Sequence, residues 1–336
     1  MNQEYLQFEG RILEKEGVFY LSYTNSSVSF RAMGSAVYME FVTKQRAEVN
    51  FAGLRVYVDE TPVGELVLDV PRKLYKICDL PDRESHRIKV IKITEAAMSQ
   101  AGLCDIRVEE GEILKEPPAA DKRVKVEFIG DSITCGYGVH GAPESEYHIR
   151  EEDGECSYAA FMAREMNWNA RYISASGYGM LVEYTGNPEN NVPKLYPYIN
   201  WFVDRERKIE PEEFEPSFII INLGTNDSGF LDDKRMQEDF VAAYANFLRL
   251  LKSFHPDAKI VCVLGTLCTN AFGFVKEAVL GAEAEGLKGI YALNLPYHDV
   301  EKDGMASGHP SVATHKKDAE RILCFMEEQG LIEREK

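Results

Sequence analysis

The chain has 336 residues, enough for two domains, and its 45% hydrophobic and 11% aromatic content is ample for packed cores and argues against disorder. A formal charge of −17 and a pI near 5.0 argue against nucleic acid and anionic membrane partners, because no basic field exists to displace counterions; a neutral substrate such as a sugar suits this charge. The opening MNQEYLQFEG has neither the basic nor the apolar region of a signal peptide, and no apolar run approaches the ~20 residues of a membrane span, so a cytoplasmic protein is expected. Seven cysteines (78, 104, 135, 156, 262, 268 and 324) are odd in number and scattered, with no CxxC pair and no ligand-like grouping with histidine. Reduced thiols and no metal site are expected.

Residues 1–114 read as β structure. Val28 and Phe30 alternate with polar neighbours, as do Val37, Met39 and Phe41, then Val56 and Val58, then Ile88 and Val90. Turn residues separate these runs at Asn25–Ser27, Gly34–Ser35, Asp59–Gly64 and Pro81–Asp82, with a short helical piece possible near Ala96–Ala101. Many short strands at this spacing predict a β-sandwich or jelly roll. Residues 115–123 then form a charged linker interrupted by Pro117 and Pro118, short enough that the two domains should pack on each other.

From residue 124 to 336 strands and helices alternate. Predicted strands cover Val124–Ile129, Arg171–Ala175, Ser217–Leu223, Lys259–Leu264 and Gly289–Leu295. Helices are expected at Tyr158–Met166, around Met236–Leu251, near Phe274–Glu285 and over Val312–Glu328. The run Phe218–Ile221 is apolar on both faces, as a central parallel strand requires. This predicts a three-layer, doubly wound α/β domain. Residues 177–215, rich in Asn, Pro and Tyr, have weak periodicity and read as a functional insertion or a wall of the cleft.

Ligands of open parallel sheets sit beyond the carboxyl ends of the strands. There the sequence places Asp131-Ser132 after the first strand, Ser174 to Gly179 after the second, Gly224 to Asp227 after the third, and Asp303 to Ser311 after the fifth. Together these loops offer a hydroxyl, a glycine N–H, an amide and an imidazole, the parts of an acyl-transfer site. Taken singly, Asp131 or Ser132 would read equally well as a helix cap. Cys135, near Ser132, reads as a small buried residue rather than a nucleophile.

The blocks GDSI, SGYG, GTND and GHPS resemble, in order, those of the GDSL/SGNH hydrolase superfamily over residues 124–330. A β-sandwich ahead of such a domain, and the string GDSITCGYG, resemble carbohydrate esterase family 2, whose members remove acetyl groups from plant polysaccharides. The resemblance implies a carboxylic ester hydrolase with Ser132 as nucleophile and His309 as general base. It implies an oxyanion hole from the Ser132 N–H, Gly177 (Gly179 being the alternative) and Asn226, and no cofactor or metal. The superfamily's usual acid, three residues before the histidine, is replaced here by Ala306. Asp303 is then the candidate orienter of His309, with a backbone carbonyl as the alternative seen in some family members. Asp227 reads as a structural residue of its loop.

Tyr137, Tyr178 and above all Trp201 are candidate sugar-stacking residues. His315 reads as a surface residue, and His140 and His148 as possible cleft residues. The expected substrate is an acetylated xylo- or manno-oligosaccharide. A general short-chain esterase, thioesterase or lysophospholipase is the alternative, and a non-catalytic carbohydrate-binding protein a more distant one.

Overall fold

The computed structural model describes residues 3–115 and 120–334. The two linker prolines fall outside these residues. The N-terminal part holds eleven strands: β1 (Gln7–Glu9), β2 (Ile12–Lys15), β3 (Val18–Leu21), β4 (Ser27–Met33), β5 (Ala36–Gln45), β6 (Ala52–Val58), β7 (Thr61–Leu68), β8 (Arg72–Asp79), β9 (His86–Lys92), β10 (Ser99–Glu109) and β11 (Glu112–Ile113). They pair antiparallel into one sheet ordered β1-β4-β9-β6-β7, with β11 on β4, and a second ordered β2-β3-β10-β5-β8. Alternation decides which side faces in: Val37, Met39 and Phe41 of β5 and Leu54 and Val56 of β6 meet Val28, Phe30, Ile88 and Val90 between the sheets. Each such side chain contributes roughly 1.5–3 kcal/mol of burial. The helical piece considered near Ala96–Ala101 is a turn that runs into β10, where pairing of Ser99 with Gln45 captures the backbone.

The second part holds β12 (Lys125–Gly130), β13 (Asn169–Ser174), β14 (Tyr198–Asn200), β15 (Asp204–Lys208), β16 (Phe218–Asn222), β17 (Lys259–Leu264) and β18 (Ile290–Asn294). Its helices are α1 (Ser132–Cys135), α2 (Tyr158–Glu165), α3 (Val192–Leu195), α4 (Lys234–Phe254), α5 (Phe272–Ala284), α6 (Val300–Asp303) and α7 (Val312–Glu328). Five strands form a parallel sheet in the order β13-β12-β16-β17-β18. The apolar run in β16 explains the three layers. Ile219 and Ile221 pack with Phe240, Tyr244 and Leu248 of α4 and Val275 of α5, whereas Phe218 and Ile220 pack with Met162 of α2 and Ile322 of α7. Asp233 caps α4 by accepting from Met236 N (3.0 Å), and Ser311 caps α7 by accepting from Thr314 N (3.3 Å), each worth about 1 kcal/mol. In this strand order the chain reverses direction between β12 and β16, which opens a crevice at their carboxyl ends.

The two parts are joined by buried polar contacts as well as apolar ones. Arg11 of the sandwich reaches Glu127 on the central strand β12 (3.1 Å), with both side chains at most 2% exposed. Tyr196 OH donates to the other oxygen of Glu127 (2.6 Å). Lys15 pairs with Asp204 (2.9 Å), so the segment from α3 through the β14–β15 hairpin docks on the sandwich. Only the start of the insertion, at Gly177 and Tyr184, reaches the cleft.

Candidate active site

Glycine makes the first turn possible. A Cβ on Gly130 would lie 2.0 Å from Thr134 Oγ1, so only a residue without one lets β12 pass this closely into α1. Asp131 is the helix cap, accepting from Ile133 N (3.0 Å), which leaves Ser132 at the first helical position with its hydroxyl free to face the crevice. Gly136, at φ 75°, ends this one-turn helix in the left-handed region. From the far end of the sheet, the loop before α7 brings His309 over the same point. Its Nε2 lies 2.8 Å from Ser132 Oγ.

Burial holds the His309 pKa down to about 4, and the His298 charge adds to this, while the carbonyls of Ser307 and Ala306 pull the other way. The ring is therefore neutral over most of the pH range, with Nε2 able to accept the Ser132 proton when Nδ1 carries the hydrogen. Nδ1 forms no hydrogen bond of good geometry; the nearby Ser307 and Ala306 carbonyls influence it without closing one. Asp303 does not take the expected place beside the ring. It lies in α6, makes no hydrogen bond to His309, and the imidazole that feels its charge is His298. The backbone carbonyls of Ser307 and Ala306, rather than the Asp303 carboxylate, border Nδ1.

The N–H groups of Ser132 and Gly177 are not donated to any acceptor among the described residues, and both residues line the cleft. Gly177 has φ 81°, which turns the chain sharply out of β13. Gly179 is placed differently: a Cβ there would lie 2.1 Å from the Val182 carbonyl, and the residue packs on Asp227 rather than on the cleft. Asp227 accepts from the N–H groups of Met180 (2.8 Å), Leu181 (2.8 Å) and Val182 (2.9 Å), fixing the loop from the neighbouring strand end. Asn226 lines the cleft with its amide anchored on the Tyr178 carbonyl (3.0 Å) and, more loosely, on Asp131 (3.3 Å). Burial raises the Asp131 pKa to about 7.

These groups open into a cleft of about 600 Å³. Sandwich residues Arg46, Asn50 and Met98 form one wall, and Arg46 is the sole charged side chain among the described lining residues. Tyr137 lines it as expected, 4.3 Å from the His309 ring and stacked on Tyr147 at 3.6 Å. Tyr178 and Trp201 do not. Tyr178 is buried edge-on to Phe202, and Trp201 packs against the domain core with Arg205 laid over its ring at 4.1 Å. The aromatic that sequence reasoning missed is Tyr184, 69% exposed and lining the cleft beside Gly177. The Tyr184 N–H donation to the Gly177 carbonyl (2.9 Å) holds it there, a contact with no local sequence signal.

Of the other histidines, His140 bonds Asp153 (3.0 Å) away from the cleft, and His148 is exposed. His315 is fully buried, not on the surface, because its Nδ1 accepts from Tyr158 N (3.2 Å) where α7 crosses α2. Cys135 is buried with its thiol pKa pushed well up, an unreactive setting. His140, Asp153 and Cys156 lie close enough together to share a cation, but Arg55 already bonds both Asp153 oxygens (2.8 and 3.3 Å) and supplies the positive charge.

A serine–imidazole pair at the switch point of a parallel sheet, with undonated N–H groups beside it, defines an acyl hydrolase site. Residues 128–317 match the model of the GDSL-like lipase/acylhydrolase family, and residues 8–118 match the carbohydrate esterase 2 N-terminal domain. The chain belongs to the GDSL-like lipase/acylhydrolase family, a class of carboxylic ester hydrolases, and carries the family 2 sandwich ahead of it. It is 29% identical over 312 residues to the cellulase/esterase CelE of Acetivibrio thermocellus, covering 87% of this chain and 36% of that relative, so it spans about a third of CelE. It is 23% identical over 266 residues to an acetylxylan esterase/glucomannan deacetylase of Cellvibrio japonicus, covering 78% and 72%. A family two carbohydrate esterase from Clostridium thermocellum, solved with cellohexaose, superposes with a TM-score of 0.87 at 26% identity over 97% of this chain and all of that one.

Proposed function

We propose that this protein is a serine esterase that removes O-acetyl groups from plant-type oligosaccharides through an acetyl-enzyme on Ser132. The observation that carries this is the 2.8 Å Ser132–His309 contact, set in one cleft with two undonated N–H groups. His309 takes the Ser132 proton as Oγ attacks the acetyl carbonyl. The N–H groups of Ser132 and Gly177 and the Asn226 amide receive the developing charge, each donor contributing roughly 3 kcal/mol. The looser Asn226–Asp131 bond is the one a substrate oxygen competes with. His309 then protonates the leaving sugar oxygen, and water, deprotonated by the same imidazole, releases acetate. Because His309 is neutral and its Nδ1 borders backbone carbonyls, the pair works as a Ser–His dyad.

An open cleft with the exposed Tyr184 ring at its edge suits a sugar stacked by its C–H face. The relatives named for acetylxylan and glucomannan support xylo- or manno-oligosaccharides as the substrate class. Seven free cysteines suit a reducing, cytoplasmic setting.

The test is acetate release from acetylated xylo- and manno-oligosaccharides by the wild type and by Ser132→Ala. The variant is expected to lose more than ~10³-fold in turnover. Unchanged release by Ser132→Ala overturns the mechanism, and faster cleavage of a long-chain acyl ester than of the acetylated sugars overturns the substrate class.

A further inference from the structure

Behind the cleft, two carboxyl groups that the proposed chemistry does not use are buried side by side. Glu95 belongs to the sandwich, in the connection from β9 to β10, and Glu152 to the long loop after α1. They are 0% and 1% exposed, the two groups act directly on each other's proton affinity, and Oε1 of each lacks a hydrogen-bond donor. Two carboxylates can only accept, so a hydrogen bond between them requires a proton. Burial raises the pKa of both, and the Glu95 charge raises that of Glu152 further. The remaining negative charge faces Lys92, fully buried, whose Nζ donates to the carbonyls of Thr94 (2.6 Å) and Glu95 (2.8 Å) and whose pKa burial lowers to about 8. Cys135, Tyr137, Tyr147, Asp131 and Tyr178 are the other titratable groups that feel Glu95.

Each carboxyl group reaches a different half of the site. Glu95 Oε2 accepts from Ser176 N (2.8 Å), the residue before Gly177. Glu152 Oε2 accepts from Tyr147 OH (2.7 Å), and Tyr147 stacks on Tyr137, which lies against His309. We propose that Glu95 and Glu152 are positioning residues acting as one proton-sharing pair, which holds the Gly177 amide on one side of Ser132 and the aromatic wall of His309 on the other. This rests on the reading of Ser132, His309 and Gly177 given above. When the shared proton leaves at alkaline pH, two buried carboxylates repel each other, the loop carrying Gly177 loses its anchor, and turnover falls.

The variants Glu95→Gln and Glu95→Ala separate bracing from mere structure. Glutamine supplies a carbonyl to Ser176 N and an N–H₂ to Glu152, so it does the work of the proton. On an acetylated oligosaccharide at neutral pH, Glu95→Gln should keep kcat within about threefold and lose the wild type's alkaline decline, while Glu95→Ala loses about 10- to 100-fold in kcat with KM little changed. A wild type without an alkaline decline, a decline unchanged in Glu95→Gln, or a folded Glu95→Ala with near wild-type kcat overturns the proposal. If Glu95→Ala does not fold, the Glu95→Gln pH profile decides. Infrared spectroscopy keeps failure of the pair distinct from failure of the active-site reading. Because Asp131 also carries protons at neutral pH, the readout is the difference between Ser132→Ala and Ser132→Ala/Glu95→Gln: a protonated-carboxyl C=O band lost with Glu95 supports the pair without any turnover, and no difference band refutes it.

Discussion

In the proposed mechanism His309 carries the reactivity of the site in its protonation state. Its pKa, drawn down to about 4 chiefly by burial, lies well below the ordinary value for histidine. A general base acts when unprotonated, so kcat/KM should rise with pH through about 4 and be fully developed by pH 6, where an exposed histidine would still be about three-quarters protonated. A pH–rate profile with its acid limb near 6.5 would contradict this environment. Backbone carbonyls rather than the Asp303 carboxylate act on the ring, so removing that carboxylate takes away no partner of the imidazole. Asp303→Asn should change kcat by less than about threefold, where loss of a true triad acid costs ~10⁴-fold. Such a neutral border fixes the imidazole's tautomer better than it stabilises the imidazolium, and turnover is expected to be moderate for that reason.

At the scale of elements, the site is an assembly of strand ends tied to one another. Asp227, at the end of β16, is 1% exposed and accepts three backbone N–H groups from the loop that follows β13. Asp227→Ala leaves those donors unsatisfied and should cost about 3 kcal/mol, read as a lower midpoint in denaturant unfolding. Its effect on kcat should exceed that of an equally destabilising core substitution, because Gly177 and the carbonyl that anchors Asn226 belong to the same loop. The periodic elements were legible in the sequence: the alternation in β5 and β6, the doubly apolar β16 and the one-sided α4 are local patterns. So was the convergence of Ser132, Gly177, Asn226 and His309 on one cleft, because each follows a strand end. Tyr184, Glu95 and Glu152 were not legible, since what places them is contact across the fold. Trp201 misled for the same reason: an aromatic in an irregular segment carries no mark of whether it faces solvent or core.

For the molecule as a whole, the weightiest polar contact is the one between Arg11 and Glu127, two charges that neither domain could bury alone. Burying them together costs desolvation, and removing one leaves the other unpaired. Arg11→Ala should destabilise the protein by ~3–5 kcal/mol, whereas Arg11→Met with Glu127→Leu should recover most of that loss. A thermal melt in which the single variant is no worse than the double would show that the pair is not buried as described. Both variants retain Ser132, so residual activity per folded molecule should stay close to wild type.

The cleft wall formed by Arg46, Asn50 and Met98 sets the sandwich apart from a tethered glycan-binding module. A tethered module raises the local concentration of substrate and can be cut away or exchanged, leaving the catalytic centre as it was. Here the sandwich is part of the mould in which the substrate lies, so it cannot be swapped without recasting the pocket. If the chain acts on sugars as proposed, changes on its β5–β6 edge belong among the determinants of which sugar is accepted, and the two domains can diverge only in step.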